Sequence, residues 1–242
     1  MAVKPPLAVH PPPKPAIVWL LPAVLSTTAG AVDVIGFLAL GGLFTAHITG
    51  NLVVLAAHYL TGGFSQIGPL LSVPVFIIVI GAVTVLSANK ATPRNRRSLL
   101  VLQAIFLAGF LGLGAGLGPF PNADAGPAVF EGMLGVTAMA IQNALIRLAL
   151  PGSPATAAMT ANVTQLAVDL ATVIRGTGEP DKLARARHRT GMILPSVAGF
   201  ITGCAAGGFL EVHFGLWSLT LPLLLAVTAI PLGELWNDDK TA

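Results

Sequence analysis

Six apolar runs, each long enough to cross a bilayer, decide what this chain can fold into. They cover about 17–41, 69–89, 98–118, 129–149, 190–210 and 214–235. A hydrocarbon core of about 30 Å takes roughly 20 such residues in a helix. Only 10% of the 242 residues are charged and 54% are hydrophobic, against about 25% charged in a soluble domain. Lipid must be the solvent, and a soluble enzyme is excluded. Glycine and proline, at 27 and 19 residues, are both commoner in membrane helices than in soluble ones.

Two further segments, about 46–61 and 156–174, are shorter or more polar. The basic residues arbitrate how they are placed, because Lys and Arg concentrate in cytoplasmic loops. If all eight segments crossed, five of the 13 basic residues, those of the 90–97 loop and Arg147, would fall outside. If both short segments dip in and return on the same side, all 13 fall inside. The expected fold class is therefore an all-α polytopic membrane protein, with six transmembrane helices plus two re-entrant half-helices and both termini cytoplasmic. Thr156, Thr160, Asn162, Thr164, Gln165, Asp169 and Thr172 agree with this. Polar or broken backbone at membrane depth survives only inside protein or along a watery cavity.

The expected domain order is a disordered proline-rich cytoplasmic tail at 1–15, a single transmembrane domain at 16–236, and a cytoplasmic tail at 237–242. Proline keeps the first tail from being helical. The apolar run behind it is too long for a cleaved signal peptide and lacks a small-residue cleavage site, so it is expected to stay as the first span. The net charge of +3 resides in short loops and reads as an orientation signal, so nucleic acid is not an expected partner. Cys204 is the only cysteine, which leaves no intrachain disulfide or cysteine cluster and is read as a small packed residue.

The transmembrane domain repeats, with halves at about 16–118 and 128–236. TAHITGN, Thr45 to Asn51, is followed by LVVLA, and TAAMTAN, Thr156 to Asn162, is followed by VTQLA. Thr45 matches Thr156, Thr49 matches Thr160, Asn51 matches Asn162 and Leu55 matches Leu166, all at one constant offset. Upstream, Asp33 precedes Thr45 at nearly the same spacing as Asn143 precedes Thr156, and the two are matched on that ground. Three spans per half is an odd number, so the expectation is a 3+3 inverted repeat. Broken helices of two inverted halves meeting near the midplane are a recurrent transporter plan.

The stretch VDVIGFLALGGLFTAHITGN, Val32 to Asn51, resembles the N-terminal signature of the YoaK-like family of small bacterial membrane proteins. AIQNALIRLAL followed by TAAMTANVTQLA resembles that family's second signature. The similarity runs over nearly the whole chain after the proline-rich tail. Ala161 departs from it, since the family pattern and the first repeat have glycine there. The family is a domain of unknown function, so the resemblance implies a bacterial inner-membrane location and supplies no catalytic residue.

The candidate substrate-binding residues are Asp33, Thr45, His47, Thr49, Asn51, Asn143, Thr156, Thr160 and Asn162. Asp33 lies inside the first span, where a charge costs about 2.5–3.5 kcal/mol on insertion scales. It should therefore face the bundle, either as a proton or cation site or as a hydrogen-bonding anchor for the re-entrant segment. His47 has Ala158 at its matching position. An imidazole titrates near neutrality, so an Asp33–His47 pair is a candidate proton relay, with a structural hydrogen bond as the plainer alternative. Threonines and asparagines at the two turns can cap helix starts or leave N–H groups aimed at an anion. Asp169 is expected to meet cytoplasmic water rather than pair with Arg175. Gly199, Gly203 and Gly207 make one smooth helix face suited to close packing.

No GxSxG, HExxH or GxxxxGK[ST] is present, and the five histidines lack metal-ligand spacing. The expectation is a non-enzyme without catalytic residues, metal or cofactor. The functional expectation is a small secondary transporter of a small polar or anionic solute, with a proton as candidate coupling ion. The alternatives are a non-transporting membrane scaffold, assembly factor or sensor, or a channel constricted at the same turns. The expected partners are the lipid bilayer and a small solute or proton, and a homo-oligomer is compatible with the sequence.

Overall fold

A computed structural model describes residues 17–62, 66–87, 92–176 and 179–236. The tails expected over 1–15 and 237–242 lie outside the described residues, as does Lys90. Among the described residues the chain is all-helical. Its elements are α1 (Ile17–Ala39), α2 (Ile48–Thr61), α3 (Ile67–Leu86), α4 (Pro93–Leu117), α5 (Gly126–Ala149), α6 (Met159–Arg175), α7 (Pro180–Phe214) and α8 (Thr220–Glu234). A short 3-10 helix, Gly215–Leu219, leads into α8. Among the described residues five stretches are long and apolar enough to cross a membrane, and the last, Pro180–Glu234, contains both α7 and α8.

The helix boundaries follow the apolar runs, except that α4 starts earlier, at Pro93, α8 later, at Thr220, and two further differences have a plain physical cause. The run at 190–210 is extended to begin at Pro180, because that proline suits a first helical turn and Asp181 complements the helix start. The short segments are helical only from Ile48 and Met159, each after a non-helical approach.

The centre of the bundle is α1 and α5, each with 67% of its apolar window buried, while α3 has 17%. Ile77, Ile78 and Val85 of α3 are more than half exposed. In water such a face would be an aggregation hazard. Against lipid tails it is the ordinary exterior of a membrane helix.

The closest crossing is between α1 and α7, and it rests on the glycines at 199, 203 and 207. A Cβ added to Gly199 would lie 2.6 Å from the Ala23 carbonyl oxygen. One added to Gly203 would fall on the Thr27 carbonyl, and one on Gly207 would meet the Ala31 Cα at 2.9 Å. Gly30 answers from the other side, against the Phe200 carbonyl. Small residues at every fourth position let the two backbones touch, which is how membrane helices gain contact without a hydrophobic drive.

The helix contacts repeat when the halves are exchanged. Helix α1 packs on α7 as α5 packs on α3. Likewise α2 packs on α3 as α6 on α7, and α4 packs on α5 as α8 on α1. The pairs α4–α8 and α1–α5 map onto themselves.

Two polar ties fix the ends of the bundle. Arg96, 1% exposed, donates through Nε to the Gly233 carbonyl at 2.6 Å and through Nη2 to the Trp236 carbonyl at 2.7 Å. A guanidinium thus satisfies one carbonyl of the last turn of α8 and one just beyond the helix. At the opposite end, Asp124 Oδ1 accepts from the backbone N–H groups of Gln66 and Ile67, at 2.9 and 2.8 Å, and caps α3.

Candidate functional site

The first turn is organised by Asp33. Helix α1 ends at Ala39, and Gly41 and Gly42, at φ 63° and 91°, turn the chain back. Asp33, only 3% exposed, then receives the returning chain. Its Oδ1 accepts from the Thr45 N–H at 2.8 Å, the Ala46 N–H at 2.6 Å and the Thr45 hydroxyl at 3.1 Å. Its Oδ2 meets Nδ1 of His47. Four contacts offset the cost of an intramembrane carboxylate, which is stable there only when partnered.

Asn51 finishes the turn. Its amide donates to the Phe44 carbonyl at 2.7 Å, and its carbonyl accepts from the Phe44 N–H at 2.8 Å. The same amide donates to Ser72 Oγ at 2.7 Å, which ties α2 to α3.

The second turn copies this backbone without the charge. Gly152, at φ 82°, is the counterpart of Gly41 at the offset that relates the two motifs. Asn162 donates to the Ala155 carbonyl at 2.6 Å, in the same relation as Asn51 to Phe44. His47 and Ala158 start their helices at φ/ψ of −92°/68° and −82°/60°.

The anchor, however, is Gln142 and not Asn143. Gln142 Nε2 donates to Thr156 Oγ1 at 2.8 Å and to the Leu25 carbonyl at 2.9 Å, and its Oε1 accepts from Gln103 at 2.6 Å. Asn143 instead donates to Met139 of its own helix at 2.9 Å. The matching of Asp33 with Asn143 is therefore corrected. Gln142 stands two positions further from its turn than Asp33 does, about 3 Å of helix rise, and its longer side chain bridges the difference.

Between the turns lies a cavity of about 560 Å³. Residues Ala46 to Thr49 line it from one half, and Ala157 to Ala161 from the other, with Phe76 and Asn143 closing the sides. Of the nine candidate residues it gathers His47, Thr49, Asn143 and Thr160. Asp33, Thr45, Asn51, Thr156 and Asn162 stand behind it and hold the turns. Neither His47 nor Ala158 makes a side-chain cap to its helix. Both helices thus start at the cavity without a side-chain cap on their first-turn N–H groups, which carry the positive end of the helix dipole. His47, with its side chain 32% exposed, links this cavity to buried Asp33.

Other polar residues were not foreseen in these roles. Asp169 is fully buried and paired with Arg189, at 3.0 and 2.6 Å, rather than facing water. The reason is that α6 packs on α7 and brings the arginine over the carboxylate. Glu131, also fully buried, lies near the start of α5. Its only sequence signal is an acid just inside an apolar run.

A family described as a protein of unknown function (DUF1275) matches over residues 21–231. A stretch of 33 residues, 14% of this chain, is 61% identical to the UPF0700 transmembrane protein YoaK of Bacillus subtilis (strain 168) and spans 15% of that protein's length. No solved structure matches the chain. The family match extends from α1 into α8 and so includes both turns and the cavity between them. The chain is a multi-pass membrane protein and belongs to the YoaK-like DUF1275 family, whose function is unknown.

Proposed function

We propose that this chain is a small secondary transporter of the bacterial inner membrane, binding a small polar or anionic solute between the starts of α2 and α6. One observation carries the reading. Two short helices, of 14 and 17 residues, begin at a single cavity of about 560 Å³ with neither first turn capped by a side chain. Paired half-helix N-termini of this kind suit an anionic group of a substrate. Thr49, Thr160 and Asn143 add side-chain polarity, and the Asp33–His47 pair supplies the candidate site for a coupling proton.

In this reading the spans are α1, α3, α4, α5, α7, and the 3-10 segment together with α8. Helices α2 and α6 are the re-entrant pair. Three spans per half invert one half against the other, and the exchange pattern of the helix contacts supports that symmetry. The Arg96 tie puts the 92–97 segment and the end of α8 at one end of the bundle. The Asp124 tie puts the starts of α3 and α5 at the opposite end. Both agree with basic loops gathered on the cytoplasmic side. Alternating access would rock one half on the other around the cavity, with no chemical reaction on the solute.

A non-transporting scaffold, assembly factor or sensor is the second reading. It is favoured by the fact that Asp33, Thr45, Asn51, Thr156 and Asn162 direct their contacts within the turns and the adjoining helices. A thermal-shift screen of the purified chain against small anions and polar metabolites separates the two. A ligand at a hundredfold excess over its Kd stabilises by about 2.7 kcal/mol. The double variant Thr49→Val, Thr160→Val should melt like the parent and lose that shift. If no solute stabilises the parent, or if the shift survives in the variant, the cavity is not the solute site.

A further inference from the structure

Among the described residues Glu131 is an acid closed off from water and from any hydrogen-bond partner. It is fully buried in α5, and neither carboxyl oxygen has a hydrogen-bond partner. Its Oε1 lies in the space that a side chain at position 114 would fill, so Gly114 makes the room for it. Beyond Gly114 is a cavity of about 450 Å³, at the end of the bundle where α1, α4 and α7 terminate. Leu38, Phe120, Leu216 and Trp217 line it together with Gly114 and one more acid, Glu211. Glu211 Oε2 accepts from the Ser218 hydroxyl at 2.5 Å, and Gly114, against which Glu131 lies, shares the wall of this cavity with Glu211.

The elements around Glu131 bring no compensating cation. Neither α3 nor the 3-10 segment has a titratable residue. The only acid of α1 is Asp33, held by Thr45 and Ala46, and the arginines of α4 lie in its first turns, at the other end. Arg147 of α5 itself stands in that helix's last turn, away from Glu131. His213 of α7 is exposed and bonded to the Phe209 carbonyl. Among the described residues no group of three His, Cys, Asp or Glu could hold a metal ion.

We propose that Glu131 and Glu211 form a proton-binding site opening to this cavity, in which one proton from cavity water bonds to a Glu131 carboxyl oxygen and returns to water on release. A carboxylate that is fully buried, with no donor on either oxygen and no cation beside it, holds a proton more readily than a charge. The proton is the species small enough for the gap at Gly114, and it needs no further ligand set. This site is separate from the cavity between α2 and α6, and it holds whether or not the chain transports a solute.

The test is infrared spectroscopy of the full chain in lipid nanodiscs with no solute present, titrated through neutral and alkaline pH. The parent should show a protonated-carboxyl carbonyl band that disappears on the alkaline side, and over that range it should release about one proton more per chain than Glu131→Gln. Glu131→Gln, nearly isosteric with the neutral acid, should lose the band and that proton, and Glu234→Gln, at an exposed acid paired with Arg97 at the other end of the bundle, should keep both. Glu211→Gln removes the neighbouring charge and should move the pH at which the band disappears. A folded Glu131→Gln that keeps the band overturns the proposal. So does a band that sodium or potassium abolishes in the parent, since the occupant would then be a metal cation. If Glu131→Gln does not fold, Glu211→Gln decides alone, and an unmoved titration counts against the site.

Discussion

Asp33→Ala is expected to destabilise the protein by about 3–5 kcal/mol, the cost typical of breaking a buried charged network. The carboxylate gathers two backbone N–H groups, the Thr45 hydroxyl and the His47 ring within one enclosed turn. Alanine would leave those donors buried and unanswered, at about 1–3 kcal/mol for each one that water cannot reach. Thermal melting of the purified variant in detergent, with the folded fraction read by size exclusion, measures the loss. Asp33→Asn should behave differently. Its amide oxygen can still accept from Thr45 and Ala46, and the second half already manages its turn with the neutral Gln142. This variant should fold close to the parent yet lose any pH dependence of ligand binding that runs through His47. Equal destabilisation by alanine and asparagine would show that the negative charge, rather than the acceptor geometry, holds the turn.

Gly203→Leu should leave no folded, monodisperse protein. The site is backbone against backbone: even a methyl group at 203 would fall on the Thr27 carbonyl, with the Ala31 nitrogen 3.0 Å away. A clash with another helix's backbone cannot be relieved by a rotamer change, so α1 and α7 must separate. Gly203→Ala already overpacks the crossing and should cost about 1–3 kcal/mol. Gly112 is the matched control, because nothing lies within 4 Å of a Cβ added there. Gly112→Ala should melt with the parent, and in a membrane helix the change also removes a residue of poor helix propensity. Comparable loss at 203 and 112 would mean that glycine is needed for reasons other than the α1–α7 contact.

How much of this was legible in the sequence varies from residue to residue. The apolar runs are readable because lipid demands nothing more subtle than length. The two turns are readable because Asn51 and Asn162 satisfy local backbone while Thr45 and Thr156 meet a polar side chain of the preceding helix, and the geometry repeats at the same spacing. The glycine face at 199–207 is readable from its period alone. Gln142 escaped because its longer side chain reaches its turn from further up its helix, donating to Thr156 where Asp33 accepts from Thr45, which shifts the match by two positions. Asp169 escaped because its partner, Arg189, becomes a neighbour only when α6 folds back on α7. Glu131 escaped because an acid near the head of a run reads as the end of a span, whereas the glycine that admits it is on another helix.

The central claim is that the starts of α2 and α6, which belong to opposite halves of the sequence, face one cavity. It is tested most directly by a cross-link. In a Cys204→Ser background, cysteines replace Thr49 and Thr160, and a protease site is introduced between Phe120 and Gly126. After treatment with a short bifunctional thiol reagent and cleavage, the two halves should remain joined in the double variant and separate in each single one. If both cysteines are modified but the halves separate completely, the two turns do not share a cavity, and the solute site built on them does not exist.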